Sequence, residues 1–243
     1  MHVIIPARYG ATRLPGKPLR EIAGRPLIVR VYERARASGA ERVIVATDDA
    51  RVARVVEEVG GEALMTASTH ASGTDRIAET IERAGLKDDE IVVNLQGDEP
   101  CMPPDLVAAV ARALEARPDW GMVTAARRMA GAEAFRNPHQ VKVVCDAEGR
   151  ALYFSRAPIP WPRDPVANPE FLGHIGLYAY TAGFVRAFTA WGPGVLERRE
   201  GLEQLRALDH GAPIGVVVTE ADPGPGVDTE EDLDRANRVW RPL

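Results

Sequence analysis

Residues 2–19 read His2-Val3-Ile4-Ile5-Pro6-Ala7-Arg8-Tyr9-Gly10-Ala11-Thr12-Arg13-Leu14-Pro15-Gly16-Lys17-Pro18-Leu19. The first four residues have the β-branched, apolar pattern of a buried strand, and the loop that leaves them carries Arg8, Arg13 and Lys17. Gly10 and Gly16 allow the backbone of that loop to come close to a ligand. Three fixed cations within ten residues need an anionic partner or open water. The chain holds 30 Lys plus Arg, of which only Lys17, Lys87 and Lys142 are lysine, so a lysine in this loop departs from the chain's habit. A compact ammonium suits a phosphate oxygen. The stretch reads as a triphosphate cradle, with a Gly/Pro/Arg-rich surface loop as the plainer alternative. It has neither Gly-x-x-x-x-Gly-Lys-Ser/Thr nor Gly-x-Gly-x-x-Gly, so the P-loop kinase and dinucleotide readings drop.

Working outward, Val3–Ile5, Val43–Ala46 and Ile91–Leu95 are short apolar runs separated by helical patterns at 26–37, 49–59, 74–84 and 104–116. That alternation predicts an α/β fold, a Rossmann-like, mostly parallel sheet with crossover helices. Ligands of such sheets bind beyond the carboxyl ends of the strands. The loop at 6–18, Thr47-Asp48-Asp49 and Gln96-Gly97-Asp98-Glu99 all follow strands and are expected on one rim. From about Trp120 the pattern changes to strands at 123–126, 141–145, 151–155 and 175–180 with hairpin-like links, a smaller mixed or antiparallel subdomain. Helix is expected at 195–208 and 230–238, and strand at 214–218. The whole chain, 1–243, reads as one domain: 1–119 and about 205–243 form a core, and about 120–204 a subdomain whose proline-rich loop at 158–169 is a semi-rigid extension or lid.

The formal net charge of -5 removes the basic balance of a general nucleic-acid binder. Cys101 and Cys145 have no metal-type spacing and fit free thiols in a reducing compartment. No apolar run approaches the roughly 20 residues of a membrane span, and no leader pattern opens the sequence, so a soluble, cytoplasmic protein is expected.

Several constellations could carry chemistry. Asp98 stands just beyond a buried strand and could hold Mg²⁺, or simply form a Gly-Asp turn. Asp228, before the last helix, offers a second acid, although Asp228 with Glu231 also makes an ordinary capping box. Ser72-Gly73-Thr74-Asp75-Arg76 enters a helix and could offer amides to a ligand or serve only as a cap. Glu203 and Gln204 share a helical face, where Glu203 could pair with Arg199 one turn back. His174 and Tyr178 alternate with apolar residues on one strand, and Arg156 ends another. No Ser/His/Asp set, His-rich metal motif or nucleophilic cysteine context appears. Cations plus scattered carboxylates suit phosphoryl or nucleotidyl transfer.

Together these segments closely resemble the bacterial 3-deoxy-D-manno-octulosonate (Kdo) cytidylyltransferases, the CMP-Kdo synthetases. The resemblance runs nearly end to end through Ile5-Pro6-Ala7-Arg8-Tyr9, Thr12 to Leu19, Ala46-Thr47-Asp48, Ser72 to Arg76, Val93 to Pro100, Leu152 to Arg156, His174 to Tyr178, Leu202 to Arg206 and Gly226 to Thr229. It implies the nucleotide-diphospho-sugar transferase type of fold, CTP and Kdo as substrates, Mg²⁺ as cofactor and a homodimer joined through the subdomain. It further implies that Ala7, Arg8, Arg13, Lys17, Ser72, Gly73 and Gln96 hold CTP, and that Lys17, Arg8, Asp98 and Asp228 are catalytic. By the same analogy Asp98 and Asp228 bind the metal, while Gln96, Thr74, Arg156, His174, Tyr178, Glu203 and Gln204 line the Kdo site. Thr12 and Asp75 stand where relatives often have Ser and Glu. Open alternatives are a cytidylyltransferase for another acid sugar, such as sialate or 8-amino-Kdo, and a non-catalytic nucleotide-binding regulator. A metal-dependent glycosyltransferase is disfavoured because Gly97-Asp98-Glu99 is not Asp-x-Asp.

Overall fold

A computed structural model describes residues 1–10 and 13–242; Ala11 and Thr12 of the opening loop, with Leu243, lie outside the described residues. The opening stretch forms strand β1 (His2–Ala7), in which Val3, Ile4 and Ile5 are wholly buried. A strand covered on both faces reads as a continuous apolar run, and successive side chains serve opposite cores. Val3 and Ile5 pack on one side of the sheet and Ile4 on the other. A 3-10 turn at Lys17–Leu19 and a short hairpin, β2 (Glu21–Ile22) with β3 (Arg25–Pro26), lead into α1 (Leu27–Ala37). Alternation continues through β4 (Arg42–Thr47), α2 (Ala50–Glu57), β5 (Glu62–Met65), α3 (Gly73–Ala84), β6 (Ile91–Asn94) and α4 (Pro104–Ala116). β1 pairs in parallel with β4 on one edge and β6 on the other, and β4 with β5. β5 carries no strand signal in the sequence, because its four residues, Glu-Ala-Leu-Met, contain no β-branched side chain.

The second half supplies β7 (Met122–Ala130), α5 (Ala132–Arg136), β8 (Lys142–Cys145), β9 (Ala151–Ser155) and β10 (Glu170–Thr181). It continues with α6 (Ala182–Ala190), α7 (Val195–Glu200), α8 (Leu205–Asp209), β11 (Ile214–Thr219) and α9 (Glu230–Val239). β10 is antiparallel to both β6 and β7, so the sheet runs in the order β11-β7-β10-β6-β1-β4-β5, with β8 joined to β10 and β9 to β8. The connections diverge on either side of β1, outward to β4 and β5 in one direction and back to β6 in the other. A crevice opens at such a point beyond the strands' carboxyl ends.

The single helix expected over 195–208 is instead two, α7 and α8. Gly201 stands between them at φ +61°, a left-handed conformation that ends α7 and turns the chain at Leu202, Glu203 and Gln204.

Lys142 is wholly buried, and its ammonium donates to the carbonyls of Asn137, Gln140 and Arg156 at 2.9, 2.7 and 2.8 Å. Burial pushes its pKa below that of an ordinary lysine. Lys142→Met leaves three carbonyls without a donor and is expected to cost about 2–4 kcal/mol in urea unfolding. A loss below about 0.5 kcal/mol would show that these bonds hold nothing together.

Candidate active site

Beyond the carboxyl ends of β1 and β6 lies a cavity of about 350 Å³ bordered by Arg8, Arg13, Lys17, Ser72, Gly73, Gln96, Asp98 and Asp228. Lys17 donates to Asp98 Oδ2 at 2.8 Å and to Asp228 Oδ1 at 3.0 Å, while Arg13 meets Asp228 Oδ2 at 2.9 Å. Residues 81 and 211 positions from Lys17 therefore meet at one ammonium. Arg8 is exposed on the rim of this cavity, and Ala7 at the end of β1 lines its floor.

Local backbone chemistry explains the convergence. The amide of Val227 donates to the carbonyl of Asp98 at 2.9 Å, stitching the segment before α9 to the loop after β6. Gly97 lets that loop lie against β1, because a Cβ there would stand 2.7 Å from the Pro6 carbonyl oxygen. The capping box expected of Asp228 with Glu231 is formed one residue later. Thr229 accepts from the Asp232 amide at 3.2 Å and donates its own amide to Asp232 at 3.1 Å. Asp228 precedes that cap, so its carboxylate is left to face Lys17 and Arg13.

Burial by itself depresses the pKa of Lys17, but the attraction of Asp98 and the hydrogen bonds to Asp98 and Asp228 outweigh it and hold the pKa above the ordinary lysine value. Burial likewise raises Asp228, and the bond and charge of Lys17 with those of Arg13 reverse the shift and keep it ionised. Glu99 is pushed up to about 8, by burial first and then by Asp98 and Asp228. The pocket thus holds the charged ammonium of Lys17 against an ionised Asp228. Among the described residues no group of three or more His, Cys, Asp or Glu is placed to enclose a metal. Two converging carboxylates fit Mg²⁺ all the same, since that ion takes one or two protein carboxylates and completes its shell with water and substrate phosphates.

The opposite wall is the amino terminus of α3. Ser72 and Asp75 form a capping box, and Gly73 lies beside Gln96, so that a Cβ on Gly73 would stand 3.8 Å from Gln96 Oε1. Gln96 donates to Asn94 Oδ1 at 3.0 Å. Asp48, at the end of β4, accepts from the Tyr9 amide at 3.1 Å and from Arg76 at 3.0 Å, and Arg51 lies 3.7 Å over the Tyr9 ring. The cationic loop is thereby tied to its root. Sequence reading put Asp48 and Arg76 within motifs but gave them no task; the available signal was that both leave elements on the same rim. Asp48→Asn leaves the buried Arg76 without a counter-charge and loosens Tyr9. The expected result is a stability loss of about 2–4 kcal/mol and a roughly tenfold higher KM for CTP, measured by denaturation and steady-state kinetics. An unchanged KM for CTP would show that the tie does not position the loop.

Thr74 donates to Glu203 Oε2 at 2.5 Å, which links α3 to the turn after Gly201. Glu203 also lies 3.7 Å from Arg206, whereas the pairing with Arg199 considered from sequence is replaced by these contacts. Tyr178, Glu203 and Gln204 border a second, smaller cavity with Thr74. His174 packs its ring 5.6 Å from Tyr178, despite a bulge between Ile175 and Tyr178, and shares a hydrogen bond with Thr124 Oγ1 at 3.0 Å. Burial pushes its pKa down to about 4, so its imidazole is neutral at pH 7. Arg156 stands apart from both cavities, its guanidinium donating to the carbonyls of Glu200, Pro138 and Gly201. Asn94 and Lys142 carry no site signal of their own in the sequence, because each is a single polar residue in an apolar strand.

The cytidylyltransferase family profile matches residues 2–214. The 3-deoxy-manno-octulosonate cytidylyltransferase of Hahella chejuensis is 54% identical over 98% of this chain and 96% of its own. That of Yersinia enterocolitica is 54% identical over 97% and 96%. A solved structure of a CMP:2-keto-3-deoxy-manno-octonic acid synthetase complexed with CTP superposes with a TM-score of 0.90 at 41% identity, covering 98% of this chain and 96% of that one. A Leptospira borgpetersenii cytidylyltransferase, 15% identical at TM-score 0.63, shares the fold.

Proposed function

We infer, from the premise that this chain belongs to the cytidylyltransferase family and is a nucleotidyltransferase, that it transfers CMP from CTP to the anomeric 2-hydroxyl of Kdo and releases pyrophosphate. The observation that carries this reading is the ammonium of Lys17 bonded to both Asp98 and Asp228 in a cavity rimmed by Arg8 and Arg13. Such a site can neutralise a triphosphate with fixed cations and present two carboxylates to a divalent ion. The near-full-length identity to named Kdo cytidylyltransferases supports Kdo as the acceptor.

In this reading Arg8, Arg13 and Lys17 grip the CTP phosphates and stabilise the charge that gathers on pyrophosphate as it leaves. Ser72, Gly73 and Gln96 hold the cytidine side, and Gln96 also faces the sugar. Thr74, Tyr178, Glu203 and Gln204 orient the sugar hydroxyls, with His174 a neutral ring supporting Tyr178. Arg156, held by carbonyls, contributes positive charge from the periphery. Asp98 and Asp228 would hold Mg²⁺, which when bound polarises phosphorus oxygens. Kdo activation would serve lipopolysaccharide inner-core synthesis in the cytoplasm. No helix among the described residues is long and apolar enough to cross a membrane. A homodimer would use the face of β7, β8 and β10, where Met129, Ala130, Val143, Cys145 and Phe171 line an open groove.

The test is incubation of the purified protein with CTP, Kdo and Mg²⁺. CMP-Kdo and pyrophosphate are expected in equal amounts, Kdo is preferred over sialate and 8-amino-Kdo, and EDTA stops the reaction until Mg²⁺ is restored. CTP binding without pyrophosphate release would refute it.

A further inference from the structure

Asn94 is the last residue of β6 and stands where that strand opens into the candidate site. Its backbone is held from both sides, opposite Ile4 of β1 and Tyr178 of β10, and the residue is 2% exposed. It is the one polar side chain in Ile-Val-Val-Asn, and a buried carboxamide without a partner is costly. The partner is two residues on: Asn94 Oδ1 accepts from Gln96 Nε2 at 3.0 Å. This bond fixes more than the place of Gln96. A carboxamide has a donor end and an acceptor end, so a glutamine whose NH2 is turned to Asn94 presents its oxygen the other way. That oxygen lies on the side of Gly73, 3.8 Å from where a Cβ on that glycine would stand, and Gly73 and Gln96 both border the cavity.

We propose that Asn94 is a positioning residue, which holds the Gln96 carboxamide so that an acceptor oxygen, and not an NH2 group, faces the substrates. The proposal rests on the reading of Gln96 as a substrate contact and adds the chemistry of that contact. The group that meets Gln96 is a hydrogen-bond donor, an amino group or hydroxyl of the nucleotide or a hydroxyl of the acid sugar. Asn94 itself touches neither substrate. The terminal torsion of a glutamine is soft and roughly two-fold, so without the Asn94 oxygen the amide turns over and sets an NH2 against that donor. Two paired strands place the Asn94 backbone, and the carboxamide passes that rigidity on to Gln96 in the loop beyond β6.

The test is a double-mutant cycle. Asn94→Leu keeps the bulk of the side chain and removes the oxygen that Gln96 uses. The expected result is a roughly tenfold fall in kcat/KM, read in the CTP titration if the donor belongs to the nucleotide and in the Kdo titration if it belongs to the sugar. Added to Gln96→Ala, the same substitution should cost less than about twofold more, because there is no amide left to orient. Equal losses in both backgrounds are what a merely structural role gives, and they would overturn the inference, as would an Asn94→Leu variant with kcat/KM unchanged for both substrates. Should Asn94→Leu fail to fold, the side-chain NH2 signal of Gln96 in the labelled wild-type protein, assigned by its loss in Gln96→Ala, decides. Slow exchange with solvent is expected, and exchange as fast as that of an exposed glutamine would overturn the inference. A wild-type protein that ignores Kdo would sink the functional reading, and the NH2 signal would still decide this one.

Discussion

Lys17→Ala is expected to lower kcat by roughly 10²–10³-fold at saturating CTP, Kdo and Mg²⁺, the range found when one preorganised charge-stabilising donor is removed. The ammonium is the meeting point of the site, bonded at 2.8 and 3.0 Å to acids 81 and 211 positions along the chain. Its side chain is 16% exposed, so solvent cannot take over its role cheaply. Removing it leaves Asp98 and Asp228 facing a triphosphate with one fewer fixed cation. If, as proposed, charge moves to a departing pyrophosphate in the transition state, the interaction strengthens there and the loss falls on kcat more than on KM for CTP. The melting temperature should fall by no more than about 4 °C, since the core does not involve this residue. Lys17→Arg is not expected to restore activity, because a planar fork cannot occupy the place of a compact ammonium between two carboxylates. Wild-type turnover by the alanine variant would overturn the assignment.

Asp98→Asn and Asp228→Asn carry the second large effect. Each keeps the shape of the side chain and removes a charge that faces Lys17. Turnover at ordinary Mg²⁺ should fall by roughly 10³-fold for Asp98→Asn, with part of the loss recovered at high Mg²⁺. Asp228, 47% exposed and also paired with Arg13, should cost less. The double variant should lose less than the two single losses combined, because both acids face one ammonium and, in the proposed reading, one ion. If the Mg²⁺ dependence of Asp98→Asn matches that of the wild type while activity is lost, that residue does not hold the metal.

The residues legible in the sequence were those whose type and local spacing carry their meaning. The buried run of β1, the cations of the first loop and the turn acids after β6 are of this kind, because strand burial and loop charge are local properties. The helix break at Gly201 was legible only as a glycine in a helical pattern. Its left-handed φ decides that Glu203 reaches Thr74 rather than Arg199. The capping box shows the same limit. Asp228 and Thr229 are both good helix starters, and a one-residue choice between them decides whether Asp228 caps a helix or faces Lys17.

By itself the sequence determined the alternating α/β class, the cationic loop after the first strand and, through many ordered motifs, the family. Each of these follows from side-chain periodicity and residue type along the chain. Only the tertiary structure decided that acids so distant in sequence share Lys17 and that Asp48 and Arg76 tie down Tyr9. Those relations are set by strand order and by backbone bonds such as Val227 to Asp98, which join segments whose separation along the chain carries no trace of their meeting.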